Sequence, residues 1–133
     1  ALTTDIIVGF PGETEEEFKE TCDFVKKVDF YEVHVFKYSK RNGTVAASMP
    51  DQIKESVKAE RSGILMELAE KQKKEFIDYY KGKEVSVLFE EPVEVDGVRY
   101  FEGLTPEYVK VWVPTEENLA NRIMKVEFFP YLY

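Results

Sequence analysis

The chain has 133 residues, with 18 Lys and Arg against 26 Asp and Glu, one histidine, one cysteine and a formal charge of -8. That length holds one compact core or two small ones, and 44% apolar residues with 14% aromatic suffice to fill them, which argues against disorder. A lone cysteine, Cys22, excludes an internal disulfide, a multi-thiolate zinc site and an all-cysteine iron-sulfur site within this sequence, and it points to a reducing, cytoplasmic setting. No run approaches the length of a membrane span, so no membrane partner is expected. The opening Ala1-Leu2-Thr3-Thr4-Asp5 has neither a Met nor a signal pattern and reads as a piece of a longer polypeptide. A charge of -8 argues against strong autonomous nucleic-acid binding, which draws on cations that displace counterions from phosphates.

In chain order, residues 3 to 8 end in the branched run Ile6-Ile7-Val8, as a strand buried on both faces would. A turn follows at Gly9-Phe10-Pro11-Gly12. Thr14 with Glu17 makes a capping box, and Phe18, Cys22, Val25 and Val28 then recur at helical spacing. Residues 31 to 38 read as a second strand, which completes a βαβ unit and implies a parallel pair. After the loop at Lys40-Arg41-Asn42-Gly43-Thr44, Pro50-Asp51 opens a long helix. Its stripe is Ile53, Val57, Ile64, Leu65, Leu68, Gln72 and Phe76, and Gly82 follows its end at Tyr80. Beyond it Val85, Val87 and Phe89 alternate with polar residues, Val95-Asp96-Gly97-Val98 signals a hairpin, Val109, Val111 and Val113 alternate again, and Ile123 to Phe129 is a further apolar run. The fold class is therefore α/β followed by all-β, with a small antiparallel barrel over 81–133 and a boundary near residues 80 to 83. The β part is the more acidic half, with ten acids against six bases.

Three places can carry chemistry. The Gly9 to Thr14 turn joins a buried strand to a helix N-terminus, where ligands bind in parallel α/β sheets; an ordinary capped turn has the same spelling. Tyr38-Ser39-Lys40-Arg41-Asn42-Gly43-Thr44 offers two cations and several hydroxyls that can clasp an anion, or is a solvated connection. In the β part, Arg99, Tyr100, Tyr108, Lys110 and Trp112 form either an aromatic and cationic surface for single-stranded nucleic acid or part of a small core. His34 stands alone, facing away from Val33 and Val35, and reads as structural, as does Cys22 on its apolar stripe. The long helix reads as a packed connector with one solvated face.

The stretches Thr3 to Thr14 and Tyr38-Ser39-Lys40-Arg41-Asn42-Gly43-Thr44-Val45-Ala46-Ala47, about 25 residues apart, together resemble the late part of the radical SAM methylthiotransferases, and the strand-rich half resembles their C-terminal TRAM domain. The resemblance covers essentially the whole chain. It implies the late βαβα part of a partial (β/α) barrel over residues 1–80, an OB-like TRAM barrel over 81–133, and S-adenosylmethionine with 4Fe-4S clusters as the parent's cofactors. Ile7 and Gly9 match the family's Gly-x-Ile-x-Gly strand along the adenine and ribose. Asp5 stands for its first glycine, and Glu13 stands one place beyond its acid. The backbone of Phe36 to Ser39 would border the adenine, so Asp5, Ile7, Gly9, Phe36, Tyr38 and Ser39 are the implied cofactor residues. Lys40 and Arg41 are the implied substrate residues of the barrel part, with Arg41 at the mouth; Arg99, Tyr100, Tyr108 and Lys110 are those of the TRAM part.

The Ser39-Lys40-Arg41 loop is most similar to the enzymes that act on threonylcarbamoyladenosine beside the tRNA anticodon, less to those acting on isopentenyladenosine, and least to those modifying a ribosomal protein. The resemblance implies addition of a methylthio group at C2 of that adenine. The Cys-x-x-x-Cys-x-x-Cys triplet that holds the radical cluster is missing, so the segment is expected to be inactive alone, partnered by the rest of its polypeptide and by the tRNA anticodon stem-loop. Two alternatives stand beside this reading: a ribosomal-protein methylthiotransferase segment, and a non-catalytic RNA- or protein-binding module.

Overall fold

A computed structural model describes residues 1–129. Spatial proximity divides the chain into two units, Leu2–Lys74 and a second that takes in Glu75 onward.

In the first unit, β1 (Thr3–Val8), α1 (Glu15–Val28) and β2 (Glu32–Lys37) form the βαβ arrangement, with the strands parallel and in register from Thr3 opposite Glu32 to Val8 opposite Lys37. The capping box starts α1: the Thr14 hydroxyl accepts the Glu17 N–H at 3.1 Å and the Glu17 carboxylate accepts the Thr14 N–H at 2.8 Å. Three acids in the first turn and two lysines in the last suit the helix dipole. Asp29, at φ 59°, ends the helix by donating its N–H to the Val25 carbonyl. One face of the sheet is covered. Val8, Phe18, Cys22, Val25 and Leu65 form the core, with Ile6, Val33, Val35 and Leu68 packed against it; burying each large side chain contributes roughly 1.5–3 kcal/mol. Leu65 and Leu68 come from α3 (Glu55–Tyr80), so α1 and α3 lie on the same side. Gln72 on α3 donates to the Val25 carbonyl at 3.1 Å and the Asp29 carboxylate at 2.9 Å, satisfying the end of α1.

Two expectations are corrected. β1 is not buried on both faces: exposure alternates along it, and Ile7 is 56% exposed, because only one side of the pair is covered within this unit. The long helix starts at Glu55, not at Pro50-Asp51. Asp51 sits at φ 57°, outside helical backbone, and its carbonyl accepts the Gly12 N–H at 2.9 Å, so the segment before α3 serves the βα turn instead. A short helix, α2 (Val45–Ser48), begins where the Thr44 hydroxyl accepts the Ala47 N–H.

The second unit contains four antiparallel strands, β3 (Glu84–Val95), β4 (Val98–Leu104), β5 (Lys110–Pro114) and β6 (Ile123–Glu127), in the order β5-β4-β3-β6. The Val95-Asp96-Gly97-Val98 hairpin forms with Asp96 at φ 50° and Gly97 at φ 76°, the pair of positive values a primed two-residue turn requires. Val85, Val87, Phe89, Phe101 and Val111 face inward and are buried. Among the described residues β5 and β6 are the two edges of this sheet and do not pair with each other.

Candidate functional site

The uncovered face of the parallel pair gathers several predicted residues. In the β1–β2 register Asp5 lies opposite His34 and Ile7 opposite Phe36; all four are exposed, Ile7 by 56% and Phe36 by 52%. Two apolar side chains thus sit side by side one step along the strands from a carboxylate. That donor set fits a planar ring system bearing hydroxyl or amino groups, with apolar contact to the ring and an anionic acceptor for its donors. His34, read from sequence as structural, shares this face, 4.0 Å from the Glu32 carboxylate.

At the C-terminal ends of the strands, Gly9 sits at φ 71° and a Cβ there would fall 2.4 Å from Lys58 Cγ, so the turn needs glycine twice over, for its backbone and for the room. Its N–H donates to the Glu13 carboxylate at 3.0 Å. Tyr38 continues β2: its N–H donates to the Val8 carbonyl at 2.9 Å, and its ring meets that of Phe10 edge-on at 5.3 Å. The Tyr38 hydroxyl is buried without a partner among the described residues. Ser39, Lys40 and Arg41 are exposed, and the Arg41 carbonyl accepts the Thr44 hydroxyl at 2.8 Å.

Sequence reasoning missed two buried cations beneath these loops. Lys58 and Arg61 on α3 are 4% and 6% exposed. Lys58 Nζ donates to the Tyr38 carbonyl at 3.0 Å and to the Glu55 carboxylate at 2.6 Å. Arg61 donates to the Glu13 carbonyl and carboxylate and lies 3.3 Å from the Glu15 carboxylate, with its guanidinium over the Phe18 ring. Within the first unit Lys58, Arg61, Leu65, Ala69 and Gln72 are the buried stripe of α3, spaced three or four apart; the expected stripe shares Leu65 and Gln72 with it, and Leu68 packs on the core, but it also took in Ile64, here 47% exposed, and passed over the two cations.

In the second unit, Tyr100 and Lys110 share the outward face of β4 and β5 with Trp112 and Glu102. Glu102 ties them: Lys110 Nζ lies 3.0 Å and Trp112 Nε1 2.6 Å from its carboxylate, and the Tyr100 and Trp112 rings are 6.3 Å apart. Arg99 is on the opposite face of β4 and 3.5 Å from the Glu116 carboxylate. Tyr108, at φ 64° and 71% exposed, borders a cleft of about 410 Å³ with Leu88, Leu104 and Ile123. Among the described residues no group of three or more His, Cys, Asp or Glu side chains is placed to hold a metal ion. Cys22 lies in the core on the covered face, so the residues present do not fit an iron-sulfur cluster.

The first unit is thus a glycine-turned βα unit with one sheet face uncovered, and the second an antiparallel sheet with an aromatic outer face. No protein-family profile matches the chain. It is 44% identical over 136 residues to the threonylcarbamoyladenosine tRNA methylthiotransferase MtaB of Bacillus subtilis, covering 98% of the chain and 30% of that protein. It is 45% identical over 126 residues to a tRNA-2-methylthio-N(6)-dimethylallyladenosine synthase of Acetivibrio thermocellus, covering 95% of the chain and 26% of that protein. A synthase of the same name from Thermoanaerobacter is 57% identical over 90 residues, covering 68% of the chain and 19% of that protein. The chain belongs to the radical SAM tRNA methylthiotransferase family. It spans less than a third of the length of these curated relatives.

Proposed function

We propose that the chain is the C-terminal part of a radical SAM methylthiotransferase that adds a methylthio group at C2 of N6-threonylcarbamoyladenosine beside the anticodon of tRNA, in the cytoplasm. Residues 1–80 wall the S-adenosylmethionine pocket as the late βαβα part of a partial barrel, and residues 81–133 form a TRAM-like barrel that holds the anticodon stem-loop. The observation that carries the reading is the open face of Asp5, Ile7 and Phe36 in a chain whose Bacillus relative is named for threonylcarbamoyladenosine. The apolar pair receives the adenine, and Asp5 accepts from the ribose or amino donors. S-adenosylmethionine and its cluster supply the radical, while this chain's residues bind, orient and exclude water. The cluster's ligands lie in other parts of the polypeptide, so this segment alone is inactive.

Lys40 and Arg41, exposed at the loop beyond β2, meet tRNA phosphates or the threonyl carboxylate of the modified base. Tyr100 and Trp112 stack bases on the outer face, with Lys110 beside them and Tyr108 at the neighbouring cleft, while Arg99, on the opposite face of β4, does not join this surface. A second reading, dimethylallyladenosine as substrate, is favoured by the 57% identity of the Thermoanaerobacter segment. Mass spectrometry of tRNA nucleosides from a strain lacking the gene tests both. Loss of the methylthio group from threonylcarbamoyladenosine supports the proposal, its loss from dimethylallyladenosine instead supports the second reading, and unchanged nucleosides overturn both.

A further inference from the structure

We propose that Arg61 and Lys58 of α3 are positioning residues that hold the two strand-end loops in their ligand-binding shape; the assignment of S-adenosylmethionine to those loops rests on the reading above. Both cations occupy the buried stripe of a helix, where leucine or alanine would pack at lower cost in desolvation. Both are aimed at the same short region. Arg61 grips Glu13 through its carbonyl and its carboxylate, and the other oxygen of that carboxylate accepts the Gly9 N–H at 3.0 Å. A chain of three groups therefore runs from the helix to the backbone of the glycine turn. Lys58 acts on the neighbouring loop: its Nζ takes the Tyr38 carbonyl at 3.0 Å and its stem fills the space over Gly9 that any Cβ would need.

The result is that both loops at the C-terminal ends of the strands are fixed from one side by one helix, which leaves their other side free for a ligand. Glu13 is thereby a link in this lock, with the Arg61 guanidinium on one oxygen and the Gly9 amide on the other. Lys58 also bonds Glu55 one turn away on its own helix and Arg61 also reaches Glu15 in the first turn of α1, and each directs a further donor to a loop carbonyl, 20 and 48 residues away in sequence.

The test uses the full-length protein carrying Arg61→Met, Lys58→Met, Arg61→Lys or the double change Glu13→Gln with Arg61→Met, the last leaving no buried charge unpaired should Arg61→Met alone fail to fold. Hydrogen exchange of the peptides spanning residues 8 to 13 and 37 to 41 is measured with S-adenosylmethionine affinity and steady-state kinetics. Exchange at 8 to 13 is expected to rise at least about tenfold in Arg61→Met and in the double variant, and at 37 to 41 in Lys58→Met, while residues 18 to 28 hold their protection. The dissociation constant and KM for S-adenosylmethionine are expected to rise about tenfold with kcat within about twofold, and Arg61→Lys to recover part of the loss. Unchanged exchange at 8 to 13 in a folded Arg61 variant overturns the lock. Faster exchange with unchanged affinity overturns its service to the ligand, and with it the placement of S-adenosylmethionine at these loops. Failure of the wild-type protein to bind S-adenosylmethionine overturns the functional reading and leaves the lock standing on the exchange data.

Discussion

Cys22 shows how a single side chain ties sequence to energetics. It sits on the core stripe of α1, and burial pushes its thiol above its ordinary value, opposed by Lys26. The sign of the linkage follows. A raised folded value stabilises the neutral thiol, so the contribution is complete below the unfolded value of about 8.5 and is lost as pH rises through the folded one. Iodoacetamide at pH 8 is expected to alkylate native Cys22 at least about tenfold more slowly than the urea-unfolded chain; equal rates would mean that the α1 stripe is not buried. This residue was legible because a small thiol among Phe18, Val25 and Val28 fits one helix face. Lys58 and Arg61 were not legible, since a hydropathy pattern assigns cations to solvent, and their partners, the Tyr38 carbonyl and Glu13, become visible only when α3 is laid across the sheet.

Elements whose ends are spelled by local chemistry were readable. Thr14 with Glu17 set the start of α1, and Asp96-Gly97 set the β3–β4 hairpin, because each acts within four residues. The start of α3 was not, since the Asp51 carbonyl is taken by Gly12, about forty residues earlier. Nor was the break in β3. Its pairing with β4 shifts register between Phe89 and Glu91, next to Gly103, where a Cβ would fall 2.5 Å from the Leu88 carbonyl oxygen and 2.6 Å from a Val87 methyl. The strands approach there more closely than any side chain permits. Gly103→Ala is therefore expected to cost roughly 1–3 kcal/mol and to lower the melting temperature of the protein, read by circular dichroism; an unchanged melting curve would show that the close approach is not required.

For the molecule as a whole, the net charge of -8 limits what the chain can do with a polyanion. Its acids are spread over both units, Lys110 and Lys125 are engaged with Glu102 and Glu84, and Lys58 and Arg61 are buried within the first unit. Long-range attraction to phosphate is thus weak, and the tRNA recognition proposed above would rest on Lys40, Arg41 and the stacking face. The α/β and β halves were both legible, since the switch from a period of 3.6 to a period of 2 is a property of whole segments. The open face was half legible: the residues were named from motif, but their exposure was hidden by the run Ile6-Ile7-Val8, which spells a doubly covered strand when only one side is covered within the unit. We propose that this face receives the adenosyl group. It is tested most directly by the dissociation constant of S-adenosylmethionine for the full-length protein carrying Phe36→Ala, with Trp112→Ala as control. Because loss of an aromatic stacking partner costs about 1–3 kcal/mol, we predict affinity at least about fivefold weaker for Phe36→Ala and wild-type affinity for Trp112→Ala. Wild-type affinity in Phe36→Ala would contradict the account.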